Sequence, residues 1–252
     1  MRRVRTRAAA LVAVLVVGAL AGCGASTTPH TEVTVLAAAS LTDVFGSLAH
    51  TFEADHPGTT VRLSFAGSSS LVAQALAGAP ADVLATADTA TMQRAVDADA
   101  VRNPAIFADN SVEIAVPPGN PAHVTGLADL ADPTRTVALC APQVPCGAAA
   151  RATFAAAGLT AAPDTLEQDV RAVLTKVELG EVDAGIVYRT DVAAAGDRVQ
   201  GIRVPADVAA TNDYPIAVLT HAAHPDLAAA FLALVRSSTG AAVLRSAGFG
   251  TP

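Results

Sequence analysis

The stretch Val-Thr-Val-Leu-Ala-Ala-Ala-Ser-Leu-Thr-Asp (residues 33–43) is a short apolar run that passes directly into a hydroxyl-rich segment. The same transition recurs in Val-Arg-Leu-Ser-Phe-Ala-Gly-Ser-Ser-Ser-Leu (residues 61–71). Short apolar runs predict strands, and Ser, Thr or Gly at their ends is typical of a helix start. Because the first N–H groups of a helix lack partners and carry partial positive charge, each junction is suited to holding an anion.

Strands and helices alternate along the rest of the chain. The predicted strands are Val33–Ala38, Val61–Phe65, Ala81–Ala85, Val112–Val116, Thr136–Leu139, Ala184–Val187, Ile202–Val204 and Tyr214–Thr220. The predicted helices are 41–55, Ser69–Ala77, Thr89–Asp99, Ala148–Ala157, Thr165–Leu179, Pro225–Val235 and Ser238–Ser246. This alternation favours an α/β fold of mainly parallel sheets flanked by helices, in which ligands lie at the carboxyl ends of the strands.

Residues 1–23 are predicted to be an export signal. Four arginines (residues 2, 3, 5 and 7) precede an uncharged stretch from Ala8 to Leu20 that is too short for an ordinary membrane anchor. The segment ends in Leu-Ala-Gly-Cys23, which resembles a bacterial lipoprotein cleavage box and implies acylation of the Cys23 thiol. The alternative is a plain secretory peptide with an incidental cysteine. Residues 24–31 are then a short polar tether.

The remaining chain is long enough for one large domain or two lobes. The full sequence has a formal net charge of −7, and cleavage of the signal with its four arginines leaves −11 on the remaining chain. A strongly acidic surface argues against nucleic acid or anionic lipid as a partner. Any bound anion must therefore be held by local dipoles against an unfavourable net field.

Cys140 and Cys146 are the cysteines that remain in an oxidising compartment. A disulfide between them would close a short loop and contribute about 2 kcal/mol by loop-entropy arithmetic. The alternative is a pair of free thiols. A metal site is not expected, because no histidine lies nearby and one cysteine pair is half of a zinc site.

Ser40 and Ser68 each have two interpretations. Ser40 lies three positions before Asp43, as in a capping box with Asp in place of Glu, and is either an ordinary N-cap or a ligand-facing hydroxyl. The segment Gly67-Ser-Ser-Ser70 is either a capped turn or a second ligand-binding helix start.

Three later segments are further candidates. Pro145-Cys-Gly-Ala148 opens a helix with a glycine that permits close backbone approach, and Glu167–Arg171 lies near another helix start. Tyr188 ends a strand, where its phenol either faces a site or caps a loop from the core.

Signatures of catalysis are absent from the sequence. It contains no Gly-x-Ser-x-Gly, no His-Glu-x-x-His, no P-loop and no Gly-x-Gly-x-x-Gly. A secreted hydrolase with Ser40 or Ser68 as nucleophile is the alternative from a different class, and it needs a histidine within reach of that serine. An enzyme is therefore not expected.

Taken in order, these segments resemble the periplasmic molybdate-binding proteins of ABC importers. The matching segments are 37–42, 65–70, 78–83 with Ala87-Asp88, 169–171, 185–188 and 213–217, which together cover almost the whole chain after the signal. The resemblance implies a type II periplasmic binding protein fold with two α/β lobes. It implies lobe 1 at 32–110 plus 214–252 and lobe 2 at 111–213, joined by strands that cross near Asn110-Ser111 and Thr211–Asp213.

The resemblance also implies the ligand contacts. Ser40 and Ser68 would each offer a hydroxyl and a backbone N–H, Cys146 and Val170 a backbone N–H, and Tyr188 its phenol. Many relatives are expected to have alanine where this chain has Cys146, and a backbone contact tolerates that change. No cofactor is expected, and molybdenum or tungsten would be bound as the oxyanion.

The donor set suits molybdate and tungstate, which are fully deprotonated dianions and can only accept hydrogen bonds. Sulfate is also an acceptor-only dianion, so a binding protein for sulfate or another oxyanion is the alternative. The resemblance implies delivery to the permease and ATPase subunits of an ABC importer by an extracytoplasmic monomer that is anchored to the membrane through lipid on Cys23.

Overall fold

The computed structural model describes residues 31–252. The predicted signal, the acylated Cys23 and residues 24–30 of the predicted tether lie outside the described residues. Thr31, the last residue of that tether, is the first residue of a strand. Within the described part of the chain, no single helix is long and apolar enough to cross a membrane, and two consecutive C-terminal helices meet that criterion only together, across a 57° bend.

Nine strands and eight α-helices make up the described fold. The strands are β1 (Thr31–Ala38), β2 (Thr59–Ala66), β3 (Val83–Ala85), β4 (Ala105–Val116), β5 (Val137–Cys140), β6 (Thr165–Glu167), β7 (Ala184–Tyr188), β8 (Gln200–Arg203) and β9 (Thr211–Val218). The helices are α1 (Thr42–Asp55), α2 (Ser68–Leu76), α3 (Thr89–Asp97), α4 (Pro145–Ala156), α5 (Val170–Glu178), α6 (Arg189–Ala195), α7 (Pro225–Val235) and α8 (Ser238–Ser246).

The strands form one mixed sheet in the order β2-β1-β3-β9-β4-β7-β5-β6, with β8 also paired to β4. β1 is parallel to β2 and β3, and β5 is parallel to β6 and β7. Antiparallel pairs accompany these parallel ones, because β9 and β4 run against their neighbours. Residues 105–111 of β4 pair with β9, whereas residues 112–116 pair with β7 and β8.

This change of partner divides the molecule into two halves. The β1 half contains β1–β3, β9, α1–α3, α7 and α8, and the β7 half contains β5–β8 and α4–α6. In the β1 half, Val35 packs into a cluster with α1, α7 and α8, whereas the adjacent Leu36 packs into a cluster with α2 and α3. Successive strand residues face opposite sides, so helices cover both faces of this part of the sheet. The β7 half has its own buried cluster within residues 112–204.

Three parts of the predicted pattern differ from the structure. Residues 165–179 do not form one helix, because Thr165–Glu167 pairs with β5 and Asp169 caps a shorter helix, α5. The predicted strand 112–116 is the second half of a strand that begins at Ala105. The short helix α6 was not predicted, since its seven residues are too few to show a helical period.

Phe231 tests the core of the β1 half. It is fully buried, and its ring lies 5.9 Å from that of Phe45 and 5.5 Å from that of Phe52. We expect Phe231→Ala to lower the free energy of unfolding by about 3–5 kcal/mol, because it removes these contacts and leaves a cavity. Urea unfolding checks this, with the half-buried Leu232→Ala as control. Equal losses in both variants would contradict the assignment of Phe231 to the core centre.

Candidate functional site

A small cavity lies between the two halves, where the carboxyl ends of β1, β2 and β7 meet the starts of α2, α4 and α5. The volume of the cavity is about 20 Å³, which is room for about one or two water molecules. The cavity therefore suits a compact inorganic ion rather than a sugar or a peptide. The residues that line it are Ala38, Ala39, Ser40, Ala66, Gly67, Ser68, Ala87, Val144, Pro145, Cys146, Asp169, Val170 and Tyr188.

The structure brings all five residues of the expected ligand set to this cavity. Ser40 and Ser68 come from the β1 half, and Cys146, Val170 and Tyr188 come from the β7 half. Each of them is buried. Residues separated by as many as 148 positions thus line one cavity, because each lies at or after the carboxyl end of a strand and these ends lie on the same side of the sheet.

Three of these residues occupy the first turn of a helix. Ser68 is the first residue of α2, Cys146 the second of α4 and Val170 the first of α5. N–H groups in these positions have no partner within their helix, and the positive end of the helix dipole lies beside them. The helix starts therefore offer the cavity backbone donors without any positively charged side chain.

Ser40 corrects one interpretation from the sequence. It lies within a 3-10 turn, Ala39–Leu41, and neither this turn nor α1 has a side-chain cap, so the capping-box interpretation with Asp43 was wrong. The Ser40 hydroxyl instead lies 3.0 Å from the phenol oxygen of Tyr214, on β9. Asp43 pairs with Arg171 in the other half.

The hydroxyl oxygens of Ser68 and Tyr188 also accept hydrogen bonds from neighbouring protein groups. Ser68 Oγ accepts the Ala87 N–H at 3.0 Å, and the Tyr188 phenol oxygen accepts from Asn212 Nδ2 at 2.9 Å. Burial raises the pKa of the Tyr188 phenol well above its usual value, with Tyr214, Asp191 and Asp88 adding to the shift. Tyr188 therefore stays protonated and remains a hydrogen-bond donor.

A disulfide joins Cys140 at the end of β5 to Cys146 at the start of α4, with 5.6 Å between the Cα atoms. The loop it closes packs tightly on the helix, since a Cβ on Gly147 would lie 2.0 Å from the Ala141 carbonyl oxygen. The same loop reaches the β1 half, where Ser69 Oγ donates to the Gln143 carbonyl at 2.6 Å. The cavity amide of Cys146 therefore sits in a constrained loop.

The two halves also approach closely at Gly67. A Cβ on Gly67 would lie 2.1 Å from the Gln168 carbonyl oxygen in the β7 half. Beside the cavity, the Arg171 guanidinium donates to the Asp43 carboxylate across the same boundary. Glycine is thus required at position 67 for the closed arrangement of the halves seen here.

Asp191 is a buried carboxylate beside the cavity with incomplete hydrogen bonding. Its side chain is fully buried, its Oδ2 accepts the Tyr188 N–H at 3.0 Å, and its Oδ1 has no hydrogen-bond partner. The Arg171 Nε atom lies 3.6 Å away and is likewise without a hydrogen bond. Burial raises the pKa of Asp191 to about 6, although the positive charge of Arg171 opposes the shift.

Neither a metal centre nor a catalytic set is found at the cavity. Among residues 31–252, no group of three or more His, Cys, Asp or Glu side chains is placed to hold a metal ion. No histidine lines the cavity. The one carboxylate among the lining residues, Asp169, uses Oδ1 to accept the Ala172 N–H at the start of its own helix.

Three residues that support the site were missed by the sequence reasoning: Ala87, Asn212 and Tyr214. In the sequence, Ala87 stands out only within a family motif, Asn212 only within the predicted crossing Thr211–Asp213, and Tyr214 only within a family motif and at the start of a predicted strand. The scarcity of tyrosine, with two in the chain, was a usable signal. Both are fully buried with ring centroids 6.0 Å apart, and Tyr214 touches Ser40.

Comparisons with known proteins agree with this geometry. Residues 33–250 match the family of bacterial extracellular solute-binding proteins. The chain is 37% identical to the molybdate-binding protein ModA of Mycobacterium tuberculosis, and the match covers 96% of this chain and 97% of that protein. Its fold is similar to that of the periplasmic molybdate-binding protein of Azotobacter vinelandii (TM-score 0.78, 20% identity, 88% of this chain and 100% of that one). It is also similar to the sulfate-binding protein SubI of Mycobacterium tuberculosis (TM-score 0.76, 21% identity, 87% and 86%).

Gly67→Ala tests whether the halves close over the cavity. The added Cβ would meet the Gln168 carbonyl oxygen, so we expect the variant to keep its fold but to hold the halves apart. With molybdate, the ligand implied by the resemblance, solution scattering should give a larger radius of gyration than for wild type. Gly46→Ala is the control, because no atom lies within 4 Å of its added Cβ. Identical scattering by both variants would contradict the closure.

Asp191 gives a pH prediction. Its pKa is about 6 in the folded protein, above the ordinary value of 3.8. Between these values the folded state keeps a proton that the unfolded state has lost, so this group lowers stability as pH rises through that range. Asn cannot lose a proton in this range. As pH rises from 4 to 7, we therefore expect the free energy of unfolding of Asp191→Asn to increase relative to that of wild type by up to about 3 kcal/mol. Urea unfolding across this range measures the gain.

The control for this series is Asp197→Asn, whose exposed side chain lies outside the Asp43–Arg171–Asp191 group. It measures the effect of removing an exposed carboxylate, and the stability gained by Asp191→Asn should exceed that effect. A difference between Asp191→Asn and wild type that does not change with pH would contradict the raised pKa of Asp191.

Proposed function

Because this chain belongs to the family of bacterial extracellular solute-binding proteins, we propose that it captures molybdate, and also tungstate, for delivery to an ABC importer. It is a binding protein rather than an enzyme, and its architecture is the two-lobed α/β fold of periplasmic binding proteins. The resemblance to molybdate-binding proteins is confirmed by the 37% identity over nearly the whole chain.

One observation carries the proposal. The cavity collects three hydroxyls and several first-turn amides from both halves, and the carboxylate of Asp169 is engaged in capping α5. An anion that leaves water must regain hydrogen bonds on all sides, and neutral donors at helix starts supply them. We assign the ligand contacts to Ser40, Ser68, Cys146, Val170 and Tyr188.

The donor set favours an ion that only accepts hydrogen bonds and donates none. Molybdate and tungstate are fully deprotonated at neutral pH, whereas phosphate carries a proton that would need an acceptor. Sulfate satisfies the same donors and is the second candidate, since a sulfate-binding protein has a similar fold. The resident ion is a tetrahedral oxyanion held by hydrogen bonds, so no separate cofactor is needed.

Binding would favour the closed arrangement, because only there do the donors of both halves reach one ion. The closed molecule then presents a joint surface of both lobes to the permease, with an ATPase subunit driving import. Lobe 1 comprises residues 32–110 and 214–252, and lobe 2 residues 111–213. We propose that the protein acts as a monomer, tethered outside the cytoplasm by lipid on Cys23.

Calorimetry on the protein from residue 24 onward tests the function, with molybdate, tungstate, sulfate and phosphate as titrants. We expect tight one-to-one binding of the first two and much weaker binding of phosphate. Sulfate binding as tight as molybdate binding would make the protein a general oxyanion receptor. The absence of heat with all four would overturn the proposal.

Ser68→Ala tests the site itself. Loss of a hydroxyl that donates to an anion should weaken molybdate binding about 10- to 100-fold, as hydrogen bonds to charged groups are strong. Ser70→Ala is the matched control, because this exposed serine lies in the same helix outside the cavity lining. If both variants bind like wild type, Ser68 is not a ligand contact.

A further inference from the structure

The hydroxyl of Ser68 has a defined direction. Its oxygen accepts the backbone N–H of Ala87 at 3.0 Å, and a backbone N–H can only donate. Because the Ser68 oxygen uses a lone pair to accept this bond, its hydrogen remains available to donate to a ligand in the cavity. No side-chain substitution at position 87 removes this contact, so Ser68 serves as an internal reference for the other two hydroxyls.

The hydroxyl of Tyr188 is fixed in the same way by a side chain. Asn212 Nδ2 lies 2.9 Å from the Tyr188 phenol oxygen and 2.9 Å from the Ala87 carbonyl oxygen. A carbonyl only accepts, so the amide must turn its nitrogen toward both groups. Asn212 therefore donates to Tyr188, and this bond does not use the phenol hydrogen, whose other neighbour is the phenol of Tyr214. The same amide links Tyr188 in the β7 half to Ala87, which holds Ser68.

The hydroxyl of Ser40 is the one whose direction is open. Its oxygen lies 3.0 Å from the Tyr214 phenol oxygen, and either group can be the donor. If Ser40 donated, it would turn its lone pairs toward an anion in the cavity. If Tyr214 donates, the Ser40 hydrogen is free. Burial raises the pKa of Tyr214 above its usual value, while its hydrogen bond with Ser40 opposes the shift, so the phenol keeps the hydrogen that it would donate.

We infer that Tyr214 and Asn212 are positioning residues that turn the Ser40 and Tyr188 hydroxyl hydrogens into the cavity, as Ala87 does for Ser68. This inference rests on the proposed binding of an oxyanion. All three hydroxyls then act only as donors, and the cavity disfavours anions that bring their own proton. Tyr214 and Asn212 set this polarity without touching the ion, because neither lines the cavity.

A double-mutant cycle with Ser40→Ala and Tyr214→Phe tests the first residue. Tyr214→Phe should weaken molybdate binding about tenfold in the wild-type background. It should have almost no effect in the Ser40→Ala background, because Tyr214 acts through the Ser40 hydroxyl. Asn212→Ala and Tyr188→Phe form the second cycle. Asn212→Ala should weaken molybdate binding when Tyr188 is present and have almost no effect in the Tyr188→Phe background. Thermal unfolding confirms that each variant is folded.

The selectivity between molybdate and phosphate separates the two possible roles of Tyr214, because a purely structural role would change both affinities equally. With phosphate as the probe at pH 6 and pH 8, Tyr214→Phe should lower the ratio of molybdate to phosphate affinity about tenfold, because the released Ser40 oxygen can accept from a protonated anion. The change should be larger at pH 6, where phosphate carries more protons. Ser111→Ala is the control: it removes a 2.8 Å hydroxyl–hydroxyl bond to Thr211 on the same pair of strands, outside the cavity.

The outcomes separate the two proposals. If wild type binds no oxyanion, the proposed function fails and the positioning role fails with it. If wild type binds molybdate but the cycles are additive, or if Tyr214→Phe weakens molybdate and phosphate binding equally, only the positioning role is overturned. Non-additive cycles together with a shifted ratio support it.

Discussion

An anion can be moved out of water by neutral groups only if hydrogen-bond donors surround it, because an unsatisfied buried charge costs many kcal/mol. The residues that line the cavity come from both halves. β4 joins the halves, because it pairs with β9 in the β1 half and with β7 and β8 in the β7 half, and the carboxyl ends of β1, β2 and β7 meet at the cavity. The placement of the cavity, the glycine at position 67 and the contacts between the halves all follow from that requirement.

The same region carries a buried carboxylate whose role is structural rather than ligand-binding. Asp191 accepts the N–H of Tyr188, and so anchors the end of β7 from which the phenol reaches the cavity. Its charge is offset by Arg171, which also reaches Asp43 in the other half, and by the hydrogen bond from the Tyr188 N–H. A buried ion pair without good hydrogen-bond geometry is weak evidence for stability. Its effect is to join the position of Tyr188 to the approach of the two halves.

The sequence predicted the strand-to-helix junctions well, because they depend on neighbouring residues. The segments ending at Ser40 and Ser68, and the helices Pro225–Val235 and Ser238–Ser246, are visible in local apolar periodicity. Prediction failed where the partner is distant. β6 was assigned to a helix because three residues beside a helix show a strand only through their pairing with β5. The capping role of Ser40 was wrong because its actual partner lies 174 positions away.

The sequence by itself determined the export signal as a prediction, the α/β alternation and the set of five candidate ligand residues, since each rests on local composition or on an ordered set of short motifs. Only the tertiary structure decided that these five residues line one cavity of about 20 Å³, that Cys140 and Cys146 are joined, and which groups hold the hydroxyls from behind. The physical reason is that a strand or a helix start is specified by its neighbours along the chain, whereas the direction of a hydrogen bond is specified by whichever group the fold places within 3 Å.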